Sequence, residues 1–233
     1  TDKHEWPVLS EDGKQYKKFK TTQLETGMSL PRLNYQDVIS YGKLGTFEDG
    51  KLIGYFYGDG WITDRKDNNK RQYGVCIPKN RPHKMEYLEG FKKLFNGEGT
   101  EHKSGTIEFN SASVKTDEYF KSFGVDKKEL GLPSKIWGEC SNDFINGFIK
   151  GFLDADGHKG SKNDNRVSIN STYEKLMKDF QELLGFKGIY LNYTKSTHTE
   201  YTVKNKTYQK DFIRHTLRRK WEVATKGKPV KIV

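Results

Sequence analysis

The sequence predicts an α+β fold: two tandem αββαββα halves related by a pseudo-twofold axis, with one helix of each packed at the centre. Two internal matches and one recurring pattern predict it. Phe47-Glu-Asp-Gly50-Lys-Leu-Ile-Gly54-Tyr-Phe-Tyr-Gly58-Asp59-Gly60 recurs 97 positions on as Phe144-Ile-Asn-Gly147-Phe-Ile-Lys-Gly151-Phe-Leu-Asp-Ala155-Asp156-Gly157. Gly131-Leu-Pro133-Ser-Lys135-Ile136 recurs 96 positions on as Gly227-Lys-Pro229-Val-Lys231-Ile232. Two matches in nearly one register mark a duplication. Between the matched ends, helical and alternating patterns follow each other in the same order in both copies. The halves are placed at 47–140 and 141–233, after an N-terminal segment 1–46.

Each copy opens with a helix. Ser141 is placed to cap the second, and Phe144, Ile145, Phe148, Ile149, Phe152 and Leu153 line one side of it. A polar, basic loop follows each Asp-Gly, at Asp64–Arg71 and Lys159–Arg166, and leads into a strand at Gln72–Ile77 or Val167–Asn170. Next comes an amphipathic helix, Lys84–Phe95 or Tyr173–Leu184, with Gly97 or Gly185 as the stop. A strand pair is expected around Thr106–Lys115 in one copy, and at Ile189–Ser196 with Tyr201–Tyr208 in the other. A last helix is expected near Asp117 and near Asp211.

Composition narrows the function classes. The 233 residues carry 41 Lys plus Arg against 31 Asp plus Glu, a formal charge of +10, which suggests a polyanionic partner such as nucleic acid. With 14 Phe, 13 Tyr and 4 Trp the chain has the aromatics that disordered chains lack. No apolar run reaches the roughly 18 residues of a membrane span, and the N-terminus does not read as a signal peptide, so a cytoplasmic protein without membrane contact is expected. Cys76 and Cys140 build no disulfide framework, and the 6 His show no zinc spacing. Gly188-Ile189-Tyr190 has no matching partner motif and reads as strand; the triplets at Asn170, Asn192 and Asn205 read as chance glycosylation matches.

Opposite the apolar stripe of each opening helix run small residues, Gly50, Gly54 and Gly58 in the first and Gly147, Gly151 and Ala155 in the second. An interior glycine costs roughly 0.8–1 kcal/mol against alanine, so the stripe needs a reason. Small residues at i and i+4 let two helix backbones touch. If the stripes face each other in parallel, Asp59 and Asp156 emerge side by side at two helix C-termini. That end already carries partial negative charge, so paired carboxylates there repel, and a divalent cation with hard oxygen ligands relieves the conflict. A single Asp-Gly would read as a turn; two on the same stripe do not.

These segments, with Leu-Asp-Ala-Asp-Gly intact at 153–157, resemble the paired dodecapeptide of the LAGLIDADG homing endonucleases, here of the two-motif, intein-like type. The resemblance covers about 47–233. It implies a monomer with pseudo-twofold symmetry whose two antiparallel sheets sit in the DNA major groove. It implies metal-dependent cutting of both strands across the minor groove, leaving 3′ overhangs at a long, specific double-stranded target. Asp59 and Asp156 are the implied metal ligands, with Gly58 and Ala155 beside them at the metal positions. Mg²⁺ is the implied cofactor, Mn²⁺ its substitute and Ca²⁺ non-catalytic. The family also places a lysine late in each half. Lys226 matches that place, three residues before Pro229, while Leu130 stands at it in the first half. Lys135 and Lys231, or Lys127 and Lys128, are the alternatives for stabilising the phosphate.

The expected DNA contacts are Arg65, Lys66, Lys70, Arg71, Lys162, Arg166, Lys195, Lys204 and Lys206, of which about a third should reach bases. From Lys195 onward eleven Lys or Arg face three acids. In the N-terminal segment, Thr1-Asp-Lys-His4 and Thr22–Leu30 resemble intein splicing blocks, but no splicing nucleophile precedes Thr1 and no His-Asn pair follows, so splicing is not expected. Its seven basic and six acidic residues do not make it a phosphate-binding arm. The competing class is a non-cleaving protein of the same fold, an intron RNA maturase or a DNA-binding regulator.

Overall fold

A computed structural model describes residues 4–10, 15–28, 30, 42–65, 70–159, 167–203 and 206–219. The chain divides into two compact units, Thr1–Gln36 and Asp37–Val233. In the first, β1 (Glu5–Leu9) pairs antiparallel with β2 (Tyr16–Lys20), and the Trp6 indole donates to Thr21 Oγ1 at 3.0 Å. Thr21–Gln23 is a 3₁₀ turn, and residues 24–28 that follow it form no strand.

The second unit repeats one plan. Its first half contains α1 (Phe47–Asp59), β3 (Gly60–Asp64), β4 (Arg71–Pro78), α2 (Pro82–Met85), α3 (Leu88–Phe95), β5 (Thr100–Glu101), β6 (Thr106–Ser111) and α4 (Val114–Ser122). Its second half contains α5 (Asn142–Asp156), β7 (Gly157–Lys159), β8 (Val167–Ser171), α6 (Glu174–Phe186), β9 (Asn192–Val203) and β10 (Lys206–Arg219). The sheets have matching antiparallel order, β3-β4-β6-β5 and β7-β8-β10-β9. The α+β class and its two sheets are therefore as the duplication predicts. No described helix is long and apolar enough to cross a membrane.

Caps fix where the central helices begin. Thr46 Oγ1 accepts from Asp49 N at 3.2 Å while Asp49 Oδ2 accepts from Thr46 N at 2.9 Å, a reciprocal capping box. Ser141 Oγ accepts from Phe144 N at 3.0 Å, as expected, and donates to Gly45 O at 2.7 Å, tying the two helix starts together. Below them lies a largely aromatic core, in which the Tyr73 and Phe120 rings stack at 4.6 Å, as do Phe123 and Phe144 at 4.9 Å.

The central pair packs backbone to backbone. A Cβ on Gly50 or Gly54 would fall less than 3.0 Å from the backbone of Phe144 or Phe148, and one on Gly147 or Gly151 less than 3.0 Å from that of Phe47 or Lys51. Contacts advance together along both helices, ending with Gly58 against Ala155, so α1 and α5 run in the same direction. The helix ends bearing Asp59 and Asp156 therefore meet.

Several local expectations change. The first amphipathic segment breaks at Glu86–Tyr87 into α2 and α3, because Pro82 starts a separate turn. Asn96, not Gly97, takes the left-handed position ending α3, at φ 53°. Gly188, at φ 71°, takes the left-handed turn beyond α6, which runs past Gly185 to Phe186. The strand pair expected at Thr106–Lys115 is β5 with β6, since Val114 and Lys115 begin α4 behind the Ser113 cap. In the second half β9 continues to Val203, which pairs with Lys206, so Thr197–Glu200 stays in β9. The helix expected near Asp211 is strand: β10 pairs with β9 from Lys206 onward, shifting register between Gln209 and Phe212, and with β8 only from His215, so near Asp211 the long ladder to β9 outweighs local helix propensity.

Candidate active site

Asp59 and Asp156 are the last residues of α1 and α5, where helix carbonyls have no partner within the helix. Two lysines supply partners, and they cross between helices. Lys84 Nζ donates to Asp59 Oδ2 at 2.5 Å and to Ala155 O at 2.6 Å. Lys128 Nζ donates to Gly58 O at 2.5 Å. The end of α1 thus has its carboxylate and a carbonyl on ammonium groups, and the end of α5 has a carbonyl on one, which complements the negative ends of both dipoles.

Electrostatics separate the two acids. Burial, then the negative charge of Asp59, pushes the Asp156 carboxyl up to about 6, against the pull of Lys128 and Lys84. No described side chain donates a hydrogen bond to Asp156, whereas Asp59 has Lys84. Burial pushes the Lys128 ammonium down, while Asp156 and Asp59 pull it back up. Tyr55 is driven upward, first by burial and then by Asp59. The acids open into a cleft of about 540 Å³ that is also bordered by Arg81, Lys84, Thr106 and His158.

Oxygen donors of this kind suit a hard divalent cation. Two carboxylates lie beside two helix-end carbonyls, and burial first, then the neighbouring acid, holds the Asp156 carboxyl up near 6, so added positive charge is favoured there. No group of three or more His, Cys, Asp or Glu occurs among the described residues, so such a cation would complete its shell with water or a substrate oxygen.

The remaining expected positions are distributed as follows. Lys135 pairs with Glu139 at 3.5 Å, and neither acid is among its partners, because the turn Ser134–Trp137 commits it locally; Lys128 is the lysine of this segment that reaches the site. Arg71, expected on DNA, pairs with Asp126 at 3.1 Å and with Asp64 at 3.7 Å. Arg65 donates to Gln72 at 3.3 Å, Lys70 is exposed just before β4, and Lys195 pairs with Glu174 at 3.7 Å. Lys206 opens β10. Lys66, Lys162, Arg166, Lys204, Lys226 and Lys231 lie outside the described residues. Lys84 is the residue sequence reasoning missed; the one available signal was a lysine just behind a helix-starting proline, in the strand-to-helix link that follows the first acid.

Residues 143–219 match the family model described as LAGLIDADG-like domain. The chain is also 26% identical over 183 residues to the glutamine–fructose-6-phosphate aminotransferase [isomerizing] of Methanocaldococcus jannaschii, a match covering 72% of this chain. It spans only 15% of that protein's length, and the aminotransferase activity is not carried over to it. Among solved structures, a mesophilic variant of the homing endonuclease I-DmoI is similar at TM-score 0.46 and 16% identity, over 74% of this chain and 83% of that one. The I-LtrWI LAGLIDADG homing endonuclease bound to target DNA is similar at TM-score 0.41 and 12% identity, over 74% and 78%. The N-terminal LAGLIDADG domain of DUF199/WhiA is similar at TM-score 0.42 and 13% identity, over 75% and 77%.

Proposed function

We propose that this LAGLIDADG-type chain is a sequence-specific double-strand DNA endonuclease that uses a divalent cation, Mg²⁺ first, to hydrolyse one phosphodiester in each strand. The observation that carries the reading is the meeting of Asp59 and Asp156 at adjacent helix ends, one from each half of a duplicated fold. Two strands need two hydrolyses, and a pseudo-twofold pair of acids supplies one position for each.

Asp59 and Asp156 would hold the cations, with the Gly58 and Ala155 carbonyls beside them. The chemistry such ions supply is activation of water and charge stabilisation at the leaving oxygen. Lys128, partly buried beside both acids, would bring positive charge to where a scissile phosphate would gain negative charge. The two sheets, each flanking its own acid, are the surfaces that would read the major groove, and the +10 charge favours a duplex partner. A nick from each centre across the minor groove would leave 3′ overhangs, and a monomer would suffice because both centres lie in one chain. The site of action is then the DNA-containing compartment of the host cell.

The test is incubation of a randomised duplex library with the protein in Mg²⁺ and, in parallel, in Ca²⁺. Discrete double-strand cuts in Mg²⁺ alone are expected. Enrichment of one sequence without cutting in either ion replaces the reading with the non-cleaving binder; neither cutting nor enrichment overturns duplex DNA as the partner.

A further inference from the structure

Lysine is seldom fully buried, and a buried ammonium must be paired. Lys84 is 4% exposed. Its Nζ meets the Asp59 carboxylate at 2.5 Å, the Ala155 carbonyl at 2.6 Å and the Tyr55 ring at 5.6 Å from the centroid. A carboxylate, a helix C-terminal carbonyl and an aromatic face are three environments that favour a cation. Here all three are taken by a charge tethered to the protein.

The other half does not repeat this device. Aligning the amphipathic helices by Leu88 with Met177, Phe91 with Phe180 and Phe95 with Leu184 sets Lys84 against Tyr173. Tyr173 stands just before α6 without a side-chain cap bond, and lines a separate cleft with Trp61 and Lys128. Lys128 gives its hydrogen bond to the Gly58 carbonyl, and Asp156 receives none from a described side chain.

We infer that Lys84 is a resident counter-ion for Asp59, filling the place a divalent cation takes there, so that a free cation enters first at Asp156. Lys84 is a positioning residue: it holds Asp59 and the Ala155 carbonyl together in the cation-free protein. Occupation of the Asp59 position by a second cation requires the ammonium to leave the Ala155 carbonyl. The inference rests on the nuclease reading only in taking the two acids as cation ligands.

The test compares the full chain with Lys84→Gln, which keeps a hydrogen-bond donor but removes the charge, and with Lys84→Met. Free Mn²⁺ is followed by electron paramagnetic resonance, and thermal unfolding is recorded in chelator and in Ca²⁺, all without DNA. Lys84→Gln is expected to bind Mn²⁺ on the order of tenfold more tightly or to gain a site. Its Tm should fall in chelator and recover in Ca²⁺ by more than the parent's Tm rises. Adding Asp59→Asn should cancel the gain. Should both variants be unfolded in chelator, refolding by Ca²⁺ supports the inference and failure to refold overturns it. Equal Mn²⁺ affinity and stoichiometry in parent and Lys84→Gln also overturn it. A gain in Lys84→Gln beside an uncut duplex library would keep the inference and remove the nuclease; a cut library with unchanged Mn²⁺ binding would do the reverse.

Discussion

Lys128 donates a 2.5 Å hydrogen bond to the carbonyl of Gly58, seventy positions earlier, returning the link between the halves to the end of α1. The bond satisfies a helix-end carbonyl and places a positive charge between two acids. Lys128→Met should leave duplex binding within a few-fold and lower single-turnover cleavage by about 10²–10³, the usual loss for one transition-state donor. An unchanged cleavage rate would make the bond a helix cap and nothing more.

Packing of the central helices sets a second expectation. A Cβ on Gly54 would meet the backbone of Phe148 at under 3.0 Å, and backbone cannot rotate away as a side chain can. Gly54→Ala should therefore destabilise the chain by about 1–3 kcal/mol, although alanine is the better helix former. The urea midpoint measures it, and a stabilised variant would refute the close packing.

Asp179 ties the inter-half link to the second half. This buried carboxylate accepts from Leu132 N at 3.2 Å and from Lys175 Nζ at 2.5 Å, just beyond the turn that carries Lys128. Asp179→Ala orphans a buried N–H and should cost about 1–3 kcal/mol in denaturant unfolding. Cleavage by the folded variant should fall as well, since its lysine is less well held. A change confined to stability would separate Asp179 from the site.

The raised carboxyl of Asp156 gives the cation-free protein a pH signature. The folded chain holds this proton more tightly than the unfolded chain, whose value is near 3.8, so stability falls as pH rises from there through about 6. The loss is at most about 3 kcal/mol. Unfolding in chelator between pH 4 and 7 should show this decline, and Asp156→Asn should flatten it. The same slope in both proteins would assign it to other groups.

The duplicated glycine stripe made the central packing legible, because only a close backbone approach justifies small residues at matched positions in both copies. Ser141 was legible as a cap from its place just before an apolar stripe. The carboxylates followed from the stripe, since each stands one step beyond its last small residue. The lysines did not: Lys128 was one of several basic residues in its segment, and only its reach to Gly58 selects it. Lys84 bears no periodic relation to Asp59, and its second partner, Ala155, belongs to the other copy. Arg71 reads as a DNA contact, and its ion pairs with Asp64 and Asp126 were not legible because those acids come beside it only in the fold. The region of Asp211 reads as helix by analogy with the first copy, yet it runs within β10, beside β9, at a register shift between Gln209 and Phe212.

The central claim is that two acids, one from each half, serve two strands. Its most direct test is cleavage of the duplex enriched from the library by Asp59→Asn and by Asp156→Asn, each checked for binding in Ca²⁺. Binding close to the parent's with loss of double-strand cutting in both variants is expected. Full double-strand cutting by either variant would contradict the shared centre.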